Sequence, residues 1–228
     1  MKYYRLLILF FLFLNFSFAQ DSSKTINKEL KHGIQFQIGS LLNLTNFNNY
    51  TFSYRYLFNN YTGIRIGLLT NINEEDYDIT QQLDSIITNP PIKYNNYNLK
   101  LSIQYLHSLI SYNSFNFILG GGPFISYNRN ESYEEYLSSS YISKYENINK
   151  TVSYGLDIVL GVEYNLSENV KLSGEYGLTI SNENSDIKNS QTNIYNDGSP
   201  NRIRKDEGER NAFRTRGLGV NFGISIFF

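Results

Sequence analysis

Residues 217–228 read Gly217-Leu218-Gly219-Val220-Asn221-Phe222-Gly223-Ile224-Ser225-Ile226-Phe227-Phe228. Leu218, Val220, Phe222, Ile224, Ile226 and Phe228 share one side of a period of two, and Gly217, Gly219, Asn221, Gly223 and Ser225 share the other. Phe227 alone breaks the pattern. A helix repeats every 3.6 residues and cannot generate this alternation, so the segment is a strand with an apolar face and a face of small or polar side chains.

The same signal recurs toward the N-terminus. Val170, Leu172, Tyr176, Leu178 and Ile180 oppose Lys171, Ser173, Glu175, Gly177 and Thr179. Val152, Tyr154, Leu156, Ile158, Leu160, Val162 and Tyr164 oppose Ser153, Gly155, Asp157, Gly161 and Glu163. Tyr97, Leu99, Leu101, Ile103 and Tyr105 oppose Asn98, Lys100, Ser102 and Gln104. Shorter alternations cover 34–38, 51–58 and 63–68. An eighth run near 115–127 contains Gly120-Gly121-Gly122-Pro123, where a bulge or a strand end is expected. Eight strands result, within a range of seven to nine.

Connections near 58–61, 110–114 and 165–169 are short and rich in Asn and Ser, whereas those near 73–92, 128–150 and 182–212 are long and polar. Only the first, around 43–48, departs from this alternation. Tight turns on one side and long connections on the other are the pattern of a barrel that crosses a membrane with strands.

Composition narrows the classes. Tyr and Phe supply 20 and 16 of the 228 residues, and Asn another 30, with no Cys and no Trp. So many aromatics argue against a disordered chain. No apolar run beyond the first twenty residues reaches the length of a membrane-spanning helix. The missing Cys excludes a disulfide scaffold, a thiolate metal site, a Cys nucleophile and a lipid-modified Cys anchor. A formal net charge of −1 offers no basic surplus for nucleic acid.

Residues 1–19, MKYYRLLILFFLFLNFSFA, form a cleavable export signal: Lys2 and Arg5, then the apolar run Leu6–Leu14, then Ser17 and Ala19 at −3 and −1 of the cut. Removing two cations leaves 18 against 21 acidic residues, a mature charge of −3. The expected organisation is therefore a signal peptide at 1–19, a lead-in at 20–31 and a single β-domain at 32–228.

A soluble up-and-down barrel would turn the apolar face inward around a ligand. A barrel in lipid would turn it outward and fill a narrow eight-stranded lumen with Gly, Ser and a few charges. The small-residue face favours lipid, as do aromatics near strand ends. Tyr105, Phe115, Phe117, Tyr164 and Phe228 lie on the turn side, and Tyr97, Tyr127 and Tyr154 on the other. Over residues 32–228 the chain resembles the small bacterial outer-membrane β-barrels of the OmpA/OmpX-like or PorT-like group. That resemblance is one of architecture. It implies residence in a Gram-negative outer membrane, contact with its lipid and lipopolysaccharide, and a C-terminal signal for the barrel-assembly machinery in Phe222, Ile224, Ile226 and Phe228. It also permits an accessory role in a secretion or envelope-assembly complex.

Arg55, Arg65, Lys100 and Lys171, with Asp157, Glu163 and Glu175, fall on the lumenal face. Unpaired buried charge is costly, so a salt-bridged network that closes the barrel is favoured over a selective pore. Imidazole chemistry has only His32 and His107 to draw on. Adjacent strand residues point to opposite faces, so His107 and Ser108 form no dyad. A lipid-modifying enzyme is thus the least favoured function, and no cofactor or metal is expected. Glu74, Glu75, Asp76 and Asp78 lack the spacing of a calcium loop. The second long connection carries Tyr133, Tyr136, Tyr141 and Tyr145. The third ends in Arg202, Arg204, Lys205, Asp206, Glu207, Glu209 and Arg210, which could bridge phosphates. A monomeric, non-enzymatic barrel with a structural or surface-binding role is the expected function.

Overall fold

The computed structural model describes residues 31–39, 50–78, 81–83, 86–88, 91–138 and 140–228. The expected signal peptide at 1–19, nearly all of the expected lead-in at 20–31 and the connection at 43–48 lie outside the described residues. The strands are β1 (His32–Gly39), β2 (Tyr50–Leu57), β3 (Thr62–Asp78), β4 (Gln81–Leu83), β5 (Ile86–Thr88), β6 (Pro91–Tyr112), β7 (Phe115–Leu137), β8 (Tyr141–Asn165), β9 (Val170–Tyr195) and β10 (Arg202–Phe227). Eight of them close into a barrel in the order β1-β10-β9-β8-β7-β6-β3-β2, and β4-β5 form a separate hairpin. Every barrel pair is antiparallel. The architecture is an eight-stranded up-and-down barrel, closed where β1 meets β10 from Gly33↔Phe227 to Gly39↔Asn221.

Its polarity is inverted relative to a soluble protein. Gln35 and Ser225 are 0% exposed, while Ile34 and Leu160 are 55% and 57% exposed. Outer positions are apolar from Val152 to Tyr164 on β8. A run of that length, at ~3.3 Å per residue and ~40° of tilt, rises roughly 30 Å, the height of a hydrocarbon layer. Closure satisfies the backbone between strands, which is what a lipid-facing sheet needs. Phe222, Ile224, Ile226 and Phe228 all lie on this outer face.

The tight turns explain part of the Asn and Ser content. Asn59 Oδ1 accepts from the N–H groups of Tyr61 and Thr62, both at 2.8 Å. Asn113 takes φ 53° in the two-residue turn between β6 and β7, a backbone region that Asn tolerates.

Three expectations need correction. The polar stretches at 128–150 and 182–212 are not loops for most of their length. The β7–β8 ladder continues to Leu137↔Ile142, and the β9–β10 ladder begins at Arg202↔Asn193. At 73–92, β3 reaches Asp78 and β6 starts at Pro91. Above the lipid both faces of a strand are wet, so the ladder persists while its hydrophobic alternation disappears. Second, Pro123 neither ends β7 nor bulges it. Pairing with β6 lapses between Ser102↔Phe124 and Tyr105↔Gly121, in step with the missing proline N–H, whereas β8 pairs through Pro123↔Leu156. The irregularity on this ladder lies instead at Ser108/Ile110.

Third, β10 is bulged at Gly217/Gly219, with Gly219 at φ 76°. Below the bulge, odd-numbered residues such as Asn221 and Gly223 face the lumen. Above it, even-numbered residues do, because Arg216 and Arg214 pair with the buried Thr179 and Ser181. Leu218, expected on the apolar face, lines a lumenal cavity instead, and Gly217 moves to the Tyr176 side.

Strand spacing around Gly122 leaves no room for a side chain: a Cβ there would abut the Ile103 carbonyl oxygen and lie 3.0 Å from Gln104 Cα. Gly122→Val should therefore lower the unfolding free energy of the refolded barrel by about 1–3 kcal/mol in urea titrations. Gly208→Ala, with nothing within 4 Å, should shift it by less than ~0.5 kcal/mol. Equal effects would refute the packing argument.

Candidate functional site

The lumen is built from the polar faces of all eight strands, and its charged side chains meet in layers. Nearest the tight turns, Arg55 on β2 donates to Glu163 on β8. Lys171 Nζ approaches the other carboxylate oxygen of Glu163 at 3.6 Å. Phe227 packs beside both cations, its ring centre 5.5 Å from the Arg55 guanidinium carbon and 5.0 Å from Lys171 Nζ. The one residue that broke the C-terminal alternation is thus a lumenal residue.

In the next layer Arg65 Nη1 on β3 donates to both carboxylate oxygens of Glu175 on β9, each at 2.8 Å. Arg65 Nη1 also donates to Gln35 Oε1 at 3.1 Å, and its Nε and Nη2 reach Gln104 Oε1 at 2.9 and 2.6 Å. Above these, Lys100 Nζ and Thr179 Oγ1 each donate to Asp157 Oδ1 at 2.7 Å. Gln104 Nε2 reaches Asp157 Oδ2 at 3.4 Å and joins the two layers. All seven charges assigned to the lumen from sequence are engaged in these contacts.

Ring order gives the network its meaning. In the eight-membered order, β2 and β8 are four places apart, and so are β3 and β9. Arg55–Glu163 and Arg65–Glu175 therefore span the full diameter, one above the other. Two side chains in contact across the axis leave no central opening at that height. A cavity of about 60 Å³ lies just above, bordered by Gln37, Ser53, Leu69, Lys100 and Leu218.

Gln35, Gln104 and Thr179 were missed as members of the network. Their signal was present, since each lies on the polar face, but charge alone drew attention to partners.

Beyond the lipid belt the inner face changes character. Register aligns Asn73 with Asn96, Asn96 with Asn130, Asn130 with Asn149 and Asn147 with Asn189. At the strand tips a cleft of about 770 Å³ is lined by Glu134, Tyr136, Tyr145, Asn147, Asn189, Gln191 and Arg204 among others. Tyr136 and Tyr145 meet edge to face, with centroids 5.6 Å apart. The hydroxyls of Tyr136 and Tyr94 donate to Glu134 at 2.6 and 2.7 Å and hold its carboxyl below the usual range.

The remaining candidates do not converge. His32 Nδ1 lies 2.6 Å from the Tyr54 hydroxyl at the rim, near Phe228. His107 pairs with Thr62 across β3–β6, and Ser108 makes its contact with Ser111. On β3 the acids alternate: Glu74 accepts from the Tyr97 hydroxyl, Asp76 pairs with Lys93, and Glu75 accepts from Asn73. Among the described residues no group of three or more His, Asp or Glu could hold a metal. Of the second-connection tyrosines, Tyr133 donates to Glu135 and Tyr141 packs on Tyr195. In the third, Lys205, Glu207 and Glu209 point outward, opposite to Arg202, Arg204, Asp206 and Arg210.

No protein-family model matches the chain, and no curated protein matches it. Among solved structures it is similar to a major outer membrane protein from Thermus thermophilus at 12% identity, covering 87% of this chain and 98% of that one, with a TM-score of 0.43. It is similar to CarO of Acinetobacter baumannii at 8% identity, over 89% and 100% of the two chains, with a TM-score of 0.44. For CarO2 of the same organism the identity is 11%, the coverage 89% and 100%, and the TM-score 0.42. The barrel assignment rests on this chain's own closure and inverted polarity.

Glu175→Ala should strand the buried Arg65 and destabilise the barrel by about 3–5 kcal/mol in urea unfolding. The double variant Arg65→Met/Glu175→Met should recover much of that loss. A double variant no more stable than Glu175→Ala alone would show that the two charges are not coupled.

Proposed function

We propose that this chain is an integral outer-membrane β-barrel of a Gram-negative envelope, non-enzymatic, with a closed lumen and a structural or surface-binding role. The observation that carries the reading is the pair of salt bridges across the barrel's diameter, inside a wall whose outer face is apolar. An open solute channel would need that axis clear, whereas a rigid scaffold benefits from its being tied. Tall ladders on β7–β10 rise past the lipid belt and offer the surface through which a partner would be met.

Two measurements test this. Extracted from an outer-membrane fraction, the protein should migrate faster unheated than boiled, as a closed barrel does in detergent. In planar bilayers it should give no steady ionic conductance, and Arg65→Ala/Glu175→Ala should be leakier. Recovery from the soluble periplasmic fraction would invert the assignment of lipid, and steady conductance of the unaltered protein would overturn the closed lumen.

A further inference from the structure

The bulge at Gly217/Gly219 sorts the upper half of β10 into two unlike faces. Arg202, Arg204, Arg210, Arg214 and Arg216 all fall on the inner face, as their partners Asn193, Gln191, Ser185, Ser181 and Thr179 do. The outer face of the same stretch carries Lys205, Glu207 and Glu209. Arginine is thus concentrated on one side of one strand.

Two carboxylates on that face offset part of the charge. Glu183 binds Arg214 Nε at 2.9 Å and Arg216 Nη2 at 3.0 Å, and Asp206 binds Arg204 Nε at 2.9 Å. Arg204, Arg214 and Arg216 are thereby paired, and among the described residues Arg202 and Arg210 have no carboxylate partner. Arg202 lies over the Tyr195 ring at 5.8 Å. Arg202 and Arg204 are alternate residues, ~6.6 Å apart along the strand, and Arg204 lines the cleft, so the two present forked donors suited to an anionic group there.

The cleft at the strand tips supplies what arginine does not. One cross-strand row runs Glu134–Tyr145–Gln191–Arg204. Three strand spacings of ~4.8 Å separate its ends by roughly 14 Å. The cation stands at one end, a carboxylate kept ionised by two tyrosine hydroxyls at the other, and half-exposed Tyr rings and planar amides between them. Aromatic faces, amides and carboxylates suit the ring faces and hydroxyls of sugars, and guanidinium suits an anionic substituent.

We propose that this concave face binds an acidic saccharide, a sugar chain bearing carboxylate or phosphate, with the anionic group on the β10 arginines and the rings along the Tyr136–Tyr145 floor. This rests on the surface-binding reading above. The ligand could be the phosphorylated sugar of neighbouring lipopolysaccharide or a free acidic polysaccharide, since both carry the same chemistry.

The test uses the full chain folded in detergent, with its heat-dependent gel shift checked in every sample so that loss of the barrel is distinguished from loss of binding. Calorimetric titrations compare a polygalacturonate oligomer, deep-rough lipopolysaccharide and a neutral dextran oligomer. At least one acidic probe should bind, and should weaken about tenfold or more in Arg202→Gln/Arg204→Gln/Arg210→Gln and in ~0.5 M salt. Dextran should not bind. Response to lipopolysaccharide alone identifies the adjacent lipid as the source, and response to polygalacturonate identifies a soluble polymer. Equal binding of dextran, undiminished binding in the triple variant, or no binding by the correctly folded protein would overturn the proposal.

Discussion

Arg65 and Glu175 stand on strands four places apart in a ring of eight, and they touch. Buried charge is tolerable only when paired and hydrogen-bonded, and pairing across an axis demands a particular circumference and stagger. The same demand is repeated one layer down by Arg55 and Glu163. A slip of one residue in β3 or β9 would turn an ion toward hydrocarbon. Strand number, register and the inside–outside assignment are thereby tied to one interaction. Gln35 and Gln104 complete it by occupying guanidinium and carboxylate positions that the pair itself leaves over.

How far the sequence revealed this follows from where lipid lies. Between Val152 and Tyr164 one face meets hydrocarbon and the other a narrow lumen, so residue type alternates and both face and strand are legible. The lumenal positions of Arg55, Arg65, Lys100, Asp157, Glu163, Lys171 and Glu175 follow from the same parity. Their partners do not, because chain alternation says which side a residue is on but not which strand lies opposite. Above Arg129 and Lys150 water wets both faces, the alternation fades, and a paired ladder looks like a loop. Leu218 was misplaced for a different reason: an extra residue in one strand resets parity without altering composition.

The unusual Asn content divides along the same boundary. Asn59 and Asn113 serve turn geometry. Asn96, Asn128 and Asn130 instead hydrogen-bond one another along and across strands above the belt. Side-chain amides both donate and accept, so they can line a hydrated wall and satisfy one another without net charge. Tyr is divided likewise between rings that face lipid, such as Tyr154 and Tyr164, and hydroxyls that engage Glu74, Glu134 and Glu135 outside it.

The single extra residue in β10 acts as a parity switch within one strand. With uninterrupted alternation, Phe222 and Ile224 could remain toward lipid only if Arg214 and Arg216 pointed there as well. Lipid-facing arginine costs ~2–4 kcal/mol at the midplane and progressively less toward the interface. One inserted position lets the lower half of the strand keep a greasy exterior while the upper half keeps a cationic interior. The two halves can therefore change composition independently, and the length of chain between Arg216 and Val220 is the quantity that cannot change by one.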